Sequence, residues 1–385
     1  MADRKRDREE TEVETAVQEI EASLGRDADM KIKALAGLTH IVDTSDEGYA
    51  VQREAAETGA LTVLMQLLED DSDVVRIQAA KALTVLTQHS RTARARMAVG
   101  KTTGFSHTPE KVALNPVQES VQELDGVFNL LTNMRFSDNA EMQAAGSAAL
   151  SAVCSLNRDN TVAALRELVH RLLQHEPKAL LALEDMLAGL DVRDDMAVLL
   201  DQALSPALSF LRSGSGSEKL DAATLLGSIC EKRPGAAGFL VAEGALPAVS
   251  QLLVSADTAS SDAAARTLWL LVKDNRRLLS PAKGALGTPG TQLVDALLAL
   301  VEARGDADDD AANADGDDEG DDEGEEEEGG KAGGGKAGGE KEGKLAVEFG
   351  DEALLLLRAL AAQDGDVKEQ LAGQSEILGS RCTIM

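Results

Sequence analysis

Aromatic residues are nearly absent: one Trp, one Tyr and six Phe make up 2% of the 385 residues. Many β-sandwiches and barrels draw on aromatic and β-branched side chains, so this scarcity points to helices cored by Ala, Leu and Val. Cysteine is equally sparse. Cys154, Cys230 and Cys382 are too few and too scattered for a disulfide framework or a Cys-rich metal site. No run of about 18 apolar residues is present, so no segment reads as a membrane-spanning helix. Met1 to Glu10 carries charge with no apolar stretch behind it, unlike a secretory leader, and the expected location is the cytosol or nucleus. Positive charge is in deficit, with a net charge of −29. Asp306 to Glu328 alone holds 15 acidic residues and no basic one, leaving 38 basic against 52 acidic residues elsewhere. A surface of that sign repels phosphate backbones, so nucleic acid is disfavoured as a partner and basic protein surfaces are favoured.

What the chain does have is apolar content: 43% of residues are hydrophobic, enough for a sizeable buried core. Near the N-terminus Val13, Val17, Ile20 and Leu24 share one helical face, and Gly25 suits the end of that helix. From about Met30 a unit recurs. In its clearest copy, Glu57-Thr58-Gly59-Ala60-Leu61 precedes a helix with Leu61, Leu64, Met65 and Leu68 on one face. The turn Asp70-Asp71-Ser72-Asp73 then leads into a helix with Val75, Ala79, Leu83 and Leu86 aligned. The adjacent pair Ala79-Ala80 recurs as Ala144-Ala145, Ala222-Ala223 and Ala264-Ala265. Its intervals fit a period near 40 with one excess, placed in the Gly/Thr/Ser-rich stretch Gly100 to Pro109. Such a period with all-helical patterning predicts an α-solenoid.

These motifs resemble those of the armadillo family. Glu243-Gly244-Ala245-Leu246-Pro247, followed by Leu252-Leu253, is similar to the family's turn and second helix. Asp125-Gly126-Val127 and Leu204-Ser205-Pro206-Ala207-Leu208 read as degenerate copies, and Leu168 to Leu190 as a helix pair without a turn motif. The resemblance covers about Met30 to Leu378 and implies an all-α, right-handed α-solenoid of armadillo-like repeats, with HEAT-like repeats as the alternative. The expected organisation is a tail and capping helix over 1–29 and repeats over 30–304 with an inserted loop near 99–115. A disordered acidic and then Gly/Lys-rich loop over 305–344, final repeat helices over 345–378 and a flexible tail over 379–385 follow. The acidic loop itself is a candidate for engaging a basic protein.

Catalytic patterns are missing. His40, His89, His107, His170 and His175 show no metal-ligand spacing, and neither a phosphate-binding Gly-rich loop with its Lys nor a Gly-x-Ser-x-Gly elbow occurs. The expectation is a non-catalytic protein with no cofactor and no small-molecule substrate. Cys154 and Cys230 fall in apolar third-helix patterns and read as core packing. The family resemblance implies that stacked third helices form a concave groove holding a protein partner. On that footing Lys81, Val85, Arg266, Trp269 and Lys273 are the groove candidates. The Asn ladder of importin-α-type members is not matched, since Val85 and Leu270 occupy those positions. A narrower likeness, Ala222 to Cys230 followed by Gly244 to Pro247, is to armadillo-type Hsp70 nucleotide exchange factors, which would imply that activity.

Cys382-Thr383-Ile384-Met385 resembles a CaaX box of the farnesyl class, with a thiol four residues from a carboxylate and an aliphatic third position. It makes Cys382 a candidate prenylation site and a prenyltransferase and a membrane surface candidate partners. One such chain gives marginal, reversible membrane residence on an otherwise cytoplasmic protein.

Overall fold

The computed structural model describes residues 2–44, 48–88, 115–255, 258–274, 293–301, 352–363 and 365–372. Every regular element among them is a helix. Apart from Asn115, the expected inserted loop lies outside the described residues, as do the acidic and Gly/Lys-rich tracts and Cys382. The chain divides into two compact units, Met1–Arg171 and Leu172–Met385.

In the first unit, glycine sets the repeat. Gly59 and Gly126 adopt φ of 81° and 84°, a left-handed conformation that a Cβ makes costly, and each sits immediately before a nine-residue second helix. The helices are α1 (Ala2–Ser23), α2 (Ala28–Thr44), α3 (Gly48–Glu57), α4 (Ala60–Leu68), α5 (Asp73–Thr87), α6 (Pro116–Val121), α7 (Val127–Arg135), α8 (Ala140–Cys154) and α9 (Arg158–Leu173). The glycines, α4 and α7, and α5 and α8 are all offset by the same 67 residues. Thus α3–α4–α5 and α6–α7–α8 are successive three-helix repeats, the arrangement that the armadillo resemblance implies. The aligned faces of α4 and α5 bury Leu61, Leu64, Leu68, Val75, Ala79, Leu83 and Leu86, whereas Met65 is half-buried. Third helices stack side by side, α2 on α5 and α5 on α8. Val13, Val17 and Ile20 of α1 are buried and α1 packs on α2, α3 and α4, closing the first repeat. This helix ends at Ser23, two residues before Gly25, and Leu24 is half-buried.

The 67-residue offset corrects one expectation. Ala144-Ala145 is not the counterpart of Ala79-Ala80, because Ala144 is exposed and the residue in register with Ala79 is the buried Gly146. Two adjacent alanines in a helix containing six of them are an ambiguous ruler, while a left-handed glycine is not. The substitution also has a steric reason. A Cβ on Gly146 would sit 2.7 Å from both the Arg135 backbone nitrogen and Met134 Cβ of α7, and 3.0 Å from the Leu131 carbonyl.

In the second unit the helices are α10 (Lys178–Ala188), α11 (Asp194–Ser213), α12 (Gly216–Lys232), α13 (Gly235–Ala242), α14 (Ala245–Ser255), α15 (Thr258–Val272), α16 (residues 293–301), α17 (residues 352–361) and α18 (Gly365–Ala372). Gly244, at φ 77°, precedes α14, and α13–α14–α15 lies 185 residues beyond α3–α4–α5. Here α12 packs between α10 and α15 as the third helices do in the first unit. The segment Leu204 to Leu208 is a second correction. It forms no turn, because α11 runs unbroken from Asp194 to Ser213 with Pro206 inside it. No glycine stands at the turn position there, and first and second helices merge. The Leu168–Leu190 pair is α9 and α10, of which α9 begins ten residues earlier than that segment.

Buried amides tie first helices to the ends of third helices. Gln52 Nε2 donates to the Gln88 carbonyl at 2.7 Å, and Gln118 Nε2 to those of Ala152 and Ser155 at 2.7 and 2.9 Å. Asn115 Nδ2 donates to the Leu86 carbonyl at 3.0 Å, and Asn160 Nδ2 to Val153 and Gln118 carbonyls at 3.0 and 2.8 Å. These carbonyls lie at or just beyond helix termini, where regular intrahelical N–H donors run out, so the side-chain amides supply donors in a buried setting. Asn160→Ala strips two buried carbonyls of their donor and is expected to cost about 2–3 kcal/mol in urea unfolding. Asn129→Ala, which removes an exposed bond to Glu167, should stay within about 0.5 kcal/mol.

Candidate binding surface on the third helices

Each third helix carries a stripe of half-buried or exposed side chains among buried ones, such as Lys81 and Val85 on α5, Asp221 and Thr224 on α12, and Arg266 and Trp269 on α15. These stripes form the candidate face within each unit. Lys81 and Val85 lie on this face in the first unit. Lys81 Nζ pairs with Glu141 Oε1 of α8 at 2.8 Å, and both side chains are exposed. An ion pair in that setting contributes little. Beside it α8 exposes Gln143 and the small residues Ala144, Ala148 and Ser151. Val85 is half-buried, one turn beyond Lys81.

The corresponding face of the second unit is charged and partly apolar. Its α10 exposes Leu181 and Asp185 and half-buries Glu184. Asp221 on α12 is half-buried, and Glu231 at the end of that helix is exposed. Arg266, Trp269 and Lys273 are half-buried, the first two on α15 and Lys273 just beyond its end. Arg266 is register-equivalent to Lys81, but it pairs backwards, with Glu231 of α12. Glu184 Oε1 accepts a long 3.5 Å bond from the buried Ser228 hydroxyl.

Two of these carboxylates are held in unfavourable surroundings. Partial burial pushes the Glu184 carboxyl above its usual range, and the neighbouring charge of Asp185 adds to this. Asp221 pushes the same way, while Ser228 and Arg266 pull it down. Burial likewise raises Asp221, with Glu218 as the like-charged neighbour. Position adds to the discomfort of the pair on α10. Glu184 and Asp185 stand towards the C-terminal end of that helix, the negative end of its dipole, and its last turn carries no basic residue. Their counterparts elsewhere are better placed. Asp70 receives the Lys31 ammonium at 2.6 Å and the Ser72 amide at 2.9 Å, and its carboxyl is lowered although burial opposes this.

Of the sequence-derived candidates, Lys81 and Val85 lie in the first unit and Arg266, Trp269 and Lys273 in the second. Glu184, Asp185 and Asp221 were not among them. The signal was present in Lys178 to Asp185, where two adjacent acids follow an apolar run and no Lys or Arg lies within four residues of either. Trp269 is half-buried at the open face and not sealed in the core. Cys154 and Cys230 occupy one repeat position, equivalent to Thr87 and Val272, at the ends of their third helices. Burial pushes both thiols up to about 12, so at neutral pH they are protonated packing groups rather than nucleophiles. Among the described residues no three His, Cys, Asp or Glu side chains are placed to hold a metal ion, and no single helix is long and apolar enough to cross a membrane.

Neither a family model nor a curated protein matches this sequence. Solved structures do. An engineered protein, target OR366, is 20% identical with a TM-score of 0.42, covering 68% of this chain and 98% of its own. A designed armadillo repeat protein, YIII(Dq.V1)4CPAF, in complex with the peptide (KR)4, is 21% identical with a TM-score of 0.41, covering 68% and 99%. Another engineered protein, target OR497, reaches 95% of this chain and 93% of its own at 18% identity and a TM-score of 0.37.

Proposed function

We propose that this protein is a non-catalytic scaffold that holds an extended, basic segment of a protein partner on the third-helix face of its second unit. The observation that carries this reading is the placement of Glu184 and Asp221, half-buried, raised by burial and crowded by like charges. Carboxylates in such a setting cost stability in the free protein, and an incoming ammonium or guanidinium group relieves that cost. Exposed Leu181 and half-buried Trp269 supply apolar contact beside the charge. The net charge of −29 steers basic partners toward the molecule. Titrating a fluorescein-labelled decapeptide of alternating Arg and Ser into the full chain tests the proposal. Saturable binding that weakens with salt, and no binding of the matching Glu-Ser peptide, is the expected result; equal binding of both peptides, or of neither, contradicts it.

The finer expectation at Cys382 belongs to the same proposal: a prenyl group there would bring the scaffold reversibly to membranes. Peptide mapping of the protein from its own cells identifies its last residue and the mass carried by Cys382. An unmodified Cys382 followed by Thr383, Ile384 and Met385 would remove this part and leave the scaffold reading intact.

A further inference from the structure

We propose that Arg266 is a built-in competitor for the acidic face: the chain's own guanidinium occupies the ground that a basic partner must take, and binding requires its displacement. This inference rests on the scaffold reading above and deepens it. Arg266 sits on α15, is half-buried, and pairs with Glu231 across the α12–α15 contact. Its charge also reaches Glu184 on α10 and opposes the rise in that carboxyl's pKa. One cation thus serves carboxylates on two other third helices, Glu231 through contact and Glu184 through space. It does so incompletely, because Glu184 remains raised, and Asp221 is raised as well. The equivalent position in the first unit behaves differently. Lys81, at the same repeat position, lies exposed and pairs outward with the exposed Glu141.

A cation placed in this way has two effects on an incoming basic segment. It repels the segment directly, and it neutralises part of the field that would attract it. Affinity is therefore held down and selectivity raised, since only a segment with enough charge to displace Arg266 settles on the face.

The test is binding of the labelled Arg-Ser decapeptide to the full chain carrying Arg266→Gln or Arg266→Lys, with helix content checked by circular dichroism. Arg266→Gln is expected to bind about threefold or more tightly than the parent, with a steeper loss of affinity on adding salt. Arg266→Lys, which keeps the charge, should bind like the parent. If Arg266→Gln binds equally or more weakly while Glu184→Gln also weakens binding, Arg266 is no competitor and the scaffold reading stands. If Arg266→Gln binds tighter and Arg266→Lys does too, packing rather than charge is responsible, and the inference fails. If no form binds the peptide, both this inference and the reading beneath it are overturned.

Discussion

Gly146→Ala is expected to lower the unfolding free energy by about 2 kcal/mol, although alanine is the better helix former by about 1 kcal/mol. The reason is contact with backbone. The new methyl would meet the Arg135 nitrogen and Met134 Cβ at 2.7 Å, and neither can swing away as the end of a long side chain can. Either α8 retreats from α7 or the second helix shifts, and each response opens space elsewhere in a close-packed repeat. Gly37→Ala is the matched control. Gly37 lies in α2, and a Cβ there meets nothing within 4 Å, so the same substitution should raise stability by about 0.5–1 kcal/mol. Urea unfolding followed by far-ultraviolet circular dichroism distinguishes the two. A stabilised Gly146→Ala would mean that α7 and α8 do not approach as closely as described.

The second large effect concerns Glu184 and Asp221, where stability and binding are expected to move in opposite directions. Their folded-state pKa values are raised, so the folded protein takes up these protons more readily than the unfolded chain. Their contribution to stability is therefore greatest below the unfolded carboxylate pKa and is lost as pH rises through the folded values. The double substitution Glu184→Gln and Asp221→Asn should stabilise the protein at neutral pH and flatten that part of its pH profile. Asp70, whose carboxyl is lowered, has the reverse sign: its contribution is present above the unfolded pKa and is lost as pH falls through the folded one. Lys31→Met should shrink that acid-side loss, leaving the part that the Ser72 amide and the Arg76 charge supply. On the binding side, the Glu184→Gln, Asp221→Asn protein should lose at least about tenfold in affinity for the Arg-Ser decapeptide, since each carboxylate is a charge partner and about 1.4 kcal/mol is a factor of ten. A double variant that is less stable at pH 7, or that binds as the parent does, contradicts the assignment.

The repeat was readable in the sequence because its punctuation is chemical. A left-handed turn admits little besides glycine, so Gly59, Gly126 and Gly244 mark second-helix starts whatever their neighbours are. The buried faces of α4 and α5 follow from spacing alone. Register was harder. Alanine pairs arise by composition in a chain this rich in alanine, and Ala144-Ala145 falls two residues short of the true position because close approach there demands glycine. The unbroken α11 was also hidden, since Pro206 looks like a turn residue until a full turn of helix on either side is seen to hold it. The face itself was only half legible. Arg266, Trp269 and Lys273 could be placed from their helix, whereas Glu184 and Asp221 lie 37 residues apart and acquire meaning only when α10 packs on α12. Burial of a carboxylate is a property of the pair of helices, and neither helix alone announces it.

Hydrogen exchange of the full chain with and without the Arg-Ser decapeptide addresses the central proposal most directly. Slower exchange concentrated in α10, α12 and α15, and absent from α4, α7 and α14, is the outcome the scaffold reading requires. Protection spread over the second helices, or no protection at saturating peptide, would place the work of this protein somewhere other than the open side of its third helices.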